Sequence, residues 1–215
     1  MRGDVRVCCT TRDDGDLRID EDATVLAQRR QAVATAPWSW LRQVHGADVV
    51  VVTRPGEHAG AAADAAVTAT PGAVVAVQTA DCAPILLSGD GVIGVVHAGW
   101  RGLVAGVIEA AASAMADLGG APTDALLGPH IRPRCYEFIG SDLDVVAAHC
   151  GEAVRSTTAW GTPALDLAAG VRASCEALSI SVVDDGTCTA CSPQHWSFRA
   201  RRDIGRQALV GWIEP

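Results

Sequence analysis

Three short segments put reactive side chains at the ends of apolar, valine-rich runs. Gln43-Val44-His45-Gly46 precedes Ala47–Thr53, Thr79-Ala80-Asp81-Cys82 follows the run Ala73–Thr79, and His97-Ala98-Gly99-Trp100-Arg101-Gly102 closes the run Val92–His97. Strand ends are where α/β proteins hold reactive groups, because the sheet fixes their bases while the loops vary. His45, Cys82 and His97 therefore form a candidate constellation. Two imidazoles and one thiolate suit zinc, and copper less well. Three protein ligands leave a fourth position for water, as in catalytic zinc sites, and zinc lowers the pKa of such a water to roughly 7. The same residue types also permit Cys82 as a nucleophile with His45 or His97 as its base. They equally permit a buried thiol beside a packed histidine. The three residues lie far apart in the chain, without zinc-finger spacing, so residue types alone leave these readings open.

The third segment carries a second signal. Gly99 and Gly102 allow close backbone approach, and Arg101 stands at the entrance to a helix expected over Leu103–Leu118. Free N–H groups and the macrodipole at such a terminus favour phosphate or carboxylate. Taken alone, these residues fit a glycine turn with a solvated arginine slightly better. Cys188-Thr189-Ala190-Cys191 is a Cys-x-x-Cys pair, but no second pair partners it and no thioredoxin-like context surrounds it. In a chain of eight cysteines it reads as coincidental spacing. His58 and His149 read as structural. The run Ser197–Arg202, with Arg206, is locally basic; it either faces an anionic ligand or pairs with surface carboxylates.

The elements that must position these groups follow from hydrophobic patterning. Val5–Thr11, Ala47–Thr53, Ala73–Thr79, Ile85–Ser88, Val92–His97, Ala125–Leu127, Ile180–Val183 and Ala208–Ile213 read as strands. Val25–Ala36, Leu103–Leu118, Asp142–Val154 and Ala164–Leu178 read as helices, and Arg54–Ala63 as a polar loop. Several strands follow one another without an intervening helix, so the expectation is one α/β domain over residues 1–215 with a mixed sheet. The 215 residues, 49% hydrophobic and 20% charged, can bury a core without disulfides. The net charge of −8 argues against nucleic acid as a partner, since phosphate backbones select basic surfaces. All 17 basic residues are arginine, a compositional bias that carries no functional reading. No segment reads as a membrane span, because Leu103–Leu118 is short and interrupted by Glu109 and Asp117. The first 16 residues lack the apolar core of a signal peptide. These features point to a cytoplasmic protein with reduced cysteines, either monomer or homodimer.

Taken in order, the motifs resemble one family. They are Gln43-Val44-His45-Gly46, Thr79-Ala80-Asp81-Cys82 with Pro84, His97 to Gly102, Gly128-Pro129 with Cys135-Tyr136-Glu137, and Ser197-Phe198-Arg199 with Gly205-Arg206-Gln207. The family is known as polyphenol oxidase or laccase-domain, purine nucleoside phosphorylase and peptidoglycan editing factor. The resemblance runs from Thr11-Arg12 to the last strand. It implies a layered α-β-β-α domain with zinc on His45, Cys82 and His97. It implies a purine nucleoside enzyme: phosphorolysis of adenosine, inosine, guanosine or methylthioadenosine, and adenosine deamination. A peptidoglycan-precursor editing hydrolase and a copper-dependent phenol oxidase are the alternatives. Two histidines and one cysteine are too few for a multicopper centre. Within this reading Gln43, Arg101 and Arg199 are expected at the nucleoside and phosphate, with Asp81, or Asp64, as the catalytic acid. The chain departs from the family pattern at Asp13-Asp14-Gly15, at Arg132 in place of glycine, and at Arg134 in place of cysteine. The ligands are untouched; the departures bear on the shape of the rim near Cys135 and leave substrate preference open.

Overall fold

The computed structural model describes residues 4–215; Met1–Gly3, at the start of the segment searched for a leader, lie outside them. The strands are β1 (Val5–Cys9), β2 (Trp38–Arg42), β3 (Val49–Val51), β4 (Ala61–Ala62), β5 (Ala65–Thr68), β6 (Val74–Thr79), β7 (Ala83–Gly89), β8 (Ile93–Ala98), β9 (Pro122–Leu127), β10 (Arg155–Thr157), β11 (Pro163–Leu165), β12 (Ser181–Asp184) and β13 (Gln207–Ile213). The helices are α1 (Ala23–Val33), α2 (Trp100–Val104), α3 (Val107–Asp117), α4 (Ser141–Cys150), α5 (Leu167–Ala177) and α6 (Phe198–Arg201). One sheet has the order β1-β13-β6-β2-β4 and the other β12-β9-β7-β8-β5-β3, each with parallel and antiparallel neighbours.

The period-2 alternation of strand side chains sorts the buried residues into three layers of core. Val75 and Val77 of β6 meet Leu86 of β7 and Ile93 and Val95 of β8 between the two sheets. Val74 and Ala76 face the other way, onto Leu26 of α1. Ile85, Leu87 and Val96 form the opposite face of the second sheet, under Ile108 and Met115 of α3 and Val171 of α5. Both sheets are thus buried on both faces, which is why their central strands read as near-continuous apolar runs. The result is the expected α-β-β-α sandwich with mixed sheets.

Several boundaries differ from the sequence reading. The helix expected over Leu103–Leu118 is two helices, broken at Gly106, which adopts a left-handed φ of 80° that favours glycine. Its first part begins at Trp100, so Arg101 lies inside α2. Pro163–Leu165, the start of the helix expected from Ala164, is strand, because it pairs with Arg155–Thr157. The strands Trp38–Arg42 and Ala65–Thr68 went unread: both are short, and the second is alanine-rich, without an alternation to mark it. The loop Arg54–Ala63 ends in a two-residue strand beside β2.

Arg132, which the resemblance sets in place of a glycine, reaches β12. Its Nη1 donates to Asp184 Oδ2 at 2.9 Å, its Nη2 donates to Oδ1, and Arg172 and the Gly186 N–H share the same carboxylate. Burial opposes ionisation of Asp184, but Arg132 and Gly186 outweigh it and hold the pKa below the ordinary value of 3.8. A depressed carboxylate pKa stabilises the fold above the ordinary pKa and ceases to do so as the pH falls through the lowered one. Asp184→Asn should therefore cost about 1 kcal/mol at neutral pH and nothing once the carboxyl is protonated in both states. Denaturant melts from pH 7 down to pH 2 check this; a constant difference between the two proteins would contradict it.

Candidate metal centre and cleft

Three neighbouring elements bring the reactive residues together. His45 follows β2, Cys82 lies in the turn from β6 to β7, and His97 is in β8, where it pairs with Pro84 across the ladder. Their ligand atoms lie within 4.8 Å of one another, and Cys82 Sγ is 3.8 Å from His45 Nε2. The two imidazole rings meet edge to face with centroids 4.8 Å apart. Gly99 is required by this approach: a Cβ there would stand 2.8 Å from His45 Cδ2 and 3.3 Å from Cys82 Sγ.

Asp64, fully buried just before β5, organises the group. Its Oδ2 accepts the N–H groups of Val44 (3.1 Å) and Gly46 (2.8 Å), and its Oδ1 accepts the N–H of His45 at 3.0 Å. Those bonds hold His45 in a left-handed backbone conformation, φ 61°, that a non-glycine residue adopts only when its surroundings enforce it. Asp64 Oδ1 also lies 2.8 Å from His97 Nδ1. That bond places the Nδ1 proton against the carboxylate and makes Nε2 the nitrogen that would ligate a metal, as in carboxylate–histidine–zinc arrangements.

Electrostatics favour charge separation in the metal-free protein. Burial pushes the Cys82 thiol up, but His97 and His45 outweigh it and bring the pKa down to about 6. Burial lowers the His97 pKa, yet Cys82 and Asp64 raise it to about 9. A thiolate beside two imidazoles, one oriented by a carboxylate, matches the donor chemistry of a zinc or copper site. The residues present fit one ion held by His45, Cys82 and His97.

The three line the floor of a cleft of about 650 Å³, within the range of small-molecule sites. Its walls include Gln43, Gln78, Phe198, Ile204, Arg18 and Arg206. Of the residues expected there from sequence, Gln43 is present, but its carboxamide is engaged: Nε2 donates to the Gln78 carbonyl (2.7 Å) and Oε1 accepts the Gln78 N–H (2.9 Å). Arg101 and Arg199 are not among the lining residues. Arg101 is exposed and stacks on Trp100 at 4.3 Å, and Arg199 lies over the Tyr136 ring at 4.9 Å. Asp81 is buried beside Cys82 with a φ of 101°. Both of its oxygens are taken, Oδ1 by the Thr189 hydroxyl (2.7 Å) and Oδ2 by the Arg199 N–H (2.6 Å). Sequence reasoning missed Gln78, which is 6% exposed and whose carboxamide nitrogen and oxygen have no hydrogen-bond partner. The available signal was a polar residue at the end of an apolar run, Ala73–Val77.

Fold and site together define a class: a two-sheet α-β-β-α protein with a His/Cys metal-binding group at converging strand ends. The chain belongs to the family described as multi-copper polyphenol oxidoreductase laccase, whose model matches residues 8–214. A Streptomyces coelicolor protein named purine nucleoside phosphorylase is 43% identical over 195 residues, covering 88% of this chain and 80% of its own. A Mycobacterium tuberculosis H37Rv protein of the same name is 38% identical over 210 residues, covering 93% and 84%. Among solved structures, Neisseria meningitidis NMB0706, titled as a DUF152 protein, superposes with a TM-score of 0.82 at 26% identity, covering 100% of this chain and 99% of its own. YlmD from Geobacillus stearothermophilus, at 24% identity and a TM-score of 0.86 over 98% and 92% of the two chains, shares the fold. The multicopper centre in the family's description does not fit: among the described residues, the two clusters able to hold a metal are His45–Cys82–His97 and Cys135–Cys188–Cys191, with three donors each and two imidazoles in the first alone, too few to hold several copper ions. Among the described residues no helix is long and apolar enough to cross a membrane.

Proposed function

We propose that this protein is a zinc-dependent purine nucleoside phosphorylase acting in the cytoplasm. The observation that carries the reading is a His/Cys metal group on the floor of a nucleoside-sized cleft, in a chain whose relatives bear that name. His45, Cys82 and His97 would hold the ion, which when bound supplies Lewis-acid polarisation of an oxygen ligand. Phosphorolysis breaks the C1′–N bond and forms a bond from C1′ to a phosphate oxygen. Arginine matches phosphate oxygens bidentately. Arg206 lines the cleft with one guanidinium nitrogen on the carbonyls of Ile204 and Gly205, which leaves other N–H groups to take an anion. Arg101 and Arg199, expected in that role from sequence, are not among the lining residues; the backbone N–H of Arg199, on Asp81, helps to hold the turn that carries Cys82. Gln78 is suited to the purine once its carboxamide, shielded from solvent and without a protein partner, rotates into the cleft that the residue lines, since a carboxamide pairs with the donor and acceptor edge of a base.

The test is incubation of purified protein with adenosine, inosine, guanosine or methylthioadenosine, with and without phosphate. Free base and ribose 1-phosphate (or its methylthio analogue) appearing only with phosphate are expected. Phosphate-independent ammonia release from adenosine would identify the deaminase instead. Turnover of neither type would overturn the reading.

Gln78 gives a separate prediction. Its unpartnered, buried carboxamide contributes little to the fold, so Gln78→Met should leave the melting temperature unchanged or higher. The same change should raise the nucleoside KM by about tenfold, the loss of roughly one good hydrogen-bonded pair. An unchanged KM would remove Gln78 from the binding site.

A further inference from the structure

The Cys-x-x-Cys pair that reads as coincidental in sequence acquires a third sulfur in the fold. Cys135, at the end of the 3₁₀ turn Pro133–Cys135, lies 3.3 Å from Cys191 Sγ, and the sulfurs of Cys135, Cys188 and Cys191 are all within 4.8 Å of one another. None of the three lines the cleft. We propose that these three cysteines form a second metal site, which binds a thiophilic d¹⁰ cation, zinc or cuprous copper, and ties the Pro133–Cys135 turn to the Cys188–Cys191 loop.

The backbone is built for this before any ion arrives. The N–H groups of Cys191 and Ser192 both donate to the Cys188 carbonyl (3.1 and 2.9 Å), which closes the Cys-x-x-Cys segment into a tight turn. The Arg132 N–H points at Cys188 Sγ from 3.4 Å. An N–H donor aimed at a cysteine sulfur favours its thiolate, the form that ligates metal. The turn is docked rather than free: His130 bridges to Cys188, and the Thr189 N–H donates to the His130 carbonyl at 3.1 Å. The separation of 3.3 Å is too long for a disulfide, at about 2.05 Å. Tetrahedral zinc with bonds of about 2.3 Å needs sulfurs roughly 3.8 Å apart, so small side-chain rotations suffice. Binding replaces up to three S–H bonds by three S–metal bonds, releases the protons to solvent and transfers no electrons. Cys191 is exposed, so a fourth ligand position faces water.

The site also touches the first one mechanically. Thr189, inside the knuckle, donates its hydroxyl to Asp81, the residue before Cys82. Closing the three-sulfur site would therefore brace the turn that presents the Cys82 ligand.

Cobalt(II) and zinc titrations of the whole reduced protein, with elemental analysis, test this. Wild type should bind about two equivalents, and Cys135→Ser and Cys191→Ser should each lose about one. Cys82→Ala should keep an ion with strong thiolate-to-cobalt charge-transfer absorption, and Cys135→Ser should lose most of that absorption. The sites are counted separately, so a failure at His45–Cys82–His97 leaves this result readable. Circular dichroism of Cys191→Ser, a change at an exposed position, controls for folding. Absence of thiolate-rich cobalt absorption in Cys82→Ala would overturn the proposal. So would a Cys135–Cys191 disulfide found by non-reducing mass spectrometry in protein purified anaerobically without added oxidant.

Discussion

Cys82→Ala is expected to reduce kcat/KM for phosphorolysis by about a thousandfold or more, equivalent to about 4 kcal/mol of transition-state stabilisation. The sulfur is the one anionic donor among the three candidate ligands, and alanine leaves two imidazoles, one of them holding its Nδ1 proton against Asp64. The variant should fold, because Cys82 sits in a turn on the cleft floor and not in any of the three core layers. Metal content read beside activity separates the two chemical roles open to this thiol. Loss of both ion and turnover makes Cys82 a ligand. Loss of turnover with full retention of the ion at His45 and His97 makes it a nucleophile and sinks the metal-site assignment. Unchanged turnover would remove the cleft floor from the chemistry altogether.

Asp64→Asn is expected to have the second-largest effect, without touching substrate. The carboxylate accepts from four N–H groups, two on each oxygen. An asparagine keeps one acceptor and turns an NH₂ toward donors on the other side, so at least two bonds become repulsive or are lost. Metal affinity at His45–Cys82–His97 should fall by about 10–100-fold, the usual effect of removing the partner that orients a ligating histidine. Stability should fall by about 2–4 kcal/mol, from buried N–H groups left without acceptors. Competition with a chromogenic chelator measures the first and denaturant unfolding the second. A merely structural role would lower stability while leaving the affinity of the folded protein unchanged, and that result would contradict the assignment. Asp81→Asn provides the comparison: its oxygens accept from Thr189 and Arg199 and do not touch a ligand side chain. Its effect on metal affinity should therefore be smaller.

Much of the scaffold was legible because both sheets are sandwiched. Strands buried on two faces show as valine-rich runs, and β6, β7, β8 and β13 were found to within two residues at each end. Short or edge elements were not. β5 is four residues, Ala65–Thr68, whose side chains are small and uniformly buried, so no alternation marks it. The break at Gly106 was hidden inside a helical pattern, because a single glycine is compatible with either a continuous helix or a left-handed turn.

The same division holds for the sites. The local sequence alone determined the identity of His45, Cys82 and His97 as candidate donors, since chemistry-bearing residues at the ends of apolar runs are a short-range pattern. Tertiary structure alone decided that Asp64 orients one of them, that Gln78 and Arg206 line the cleft while Arg101 and Arg199 do not, and that Cys135 joins Cys188 and Cys191. These facts depend on pairings between distant segments, β8 against β7 and the Cys188–Cys191 loop against His130. A side chain's reach is a few ångströms, and only the packing of remote backbone sets which groups fall within it.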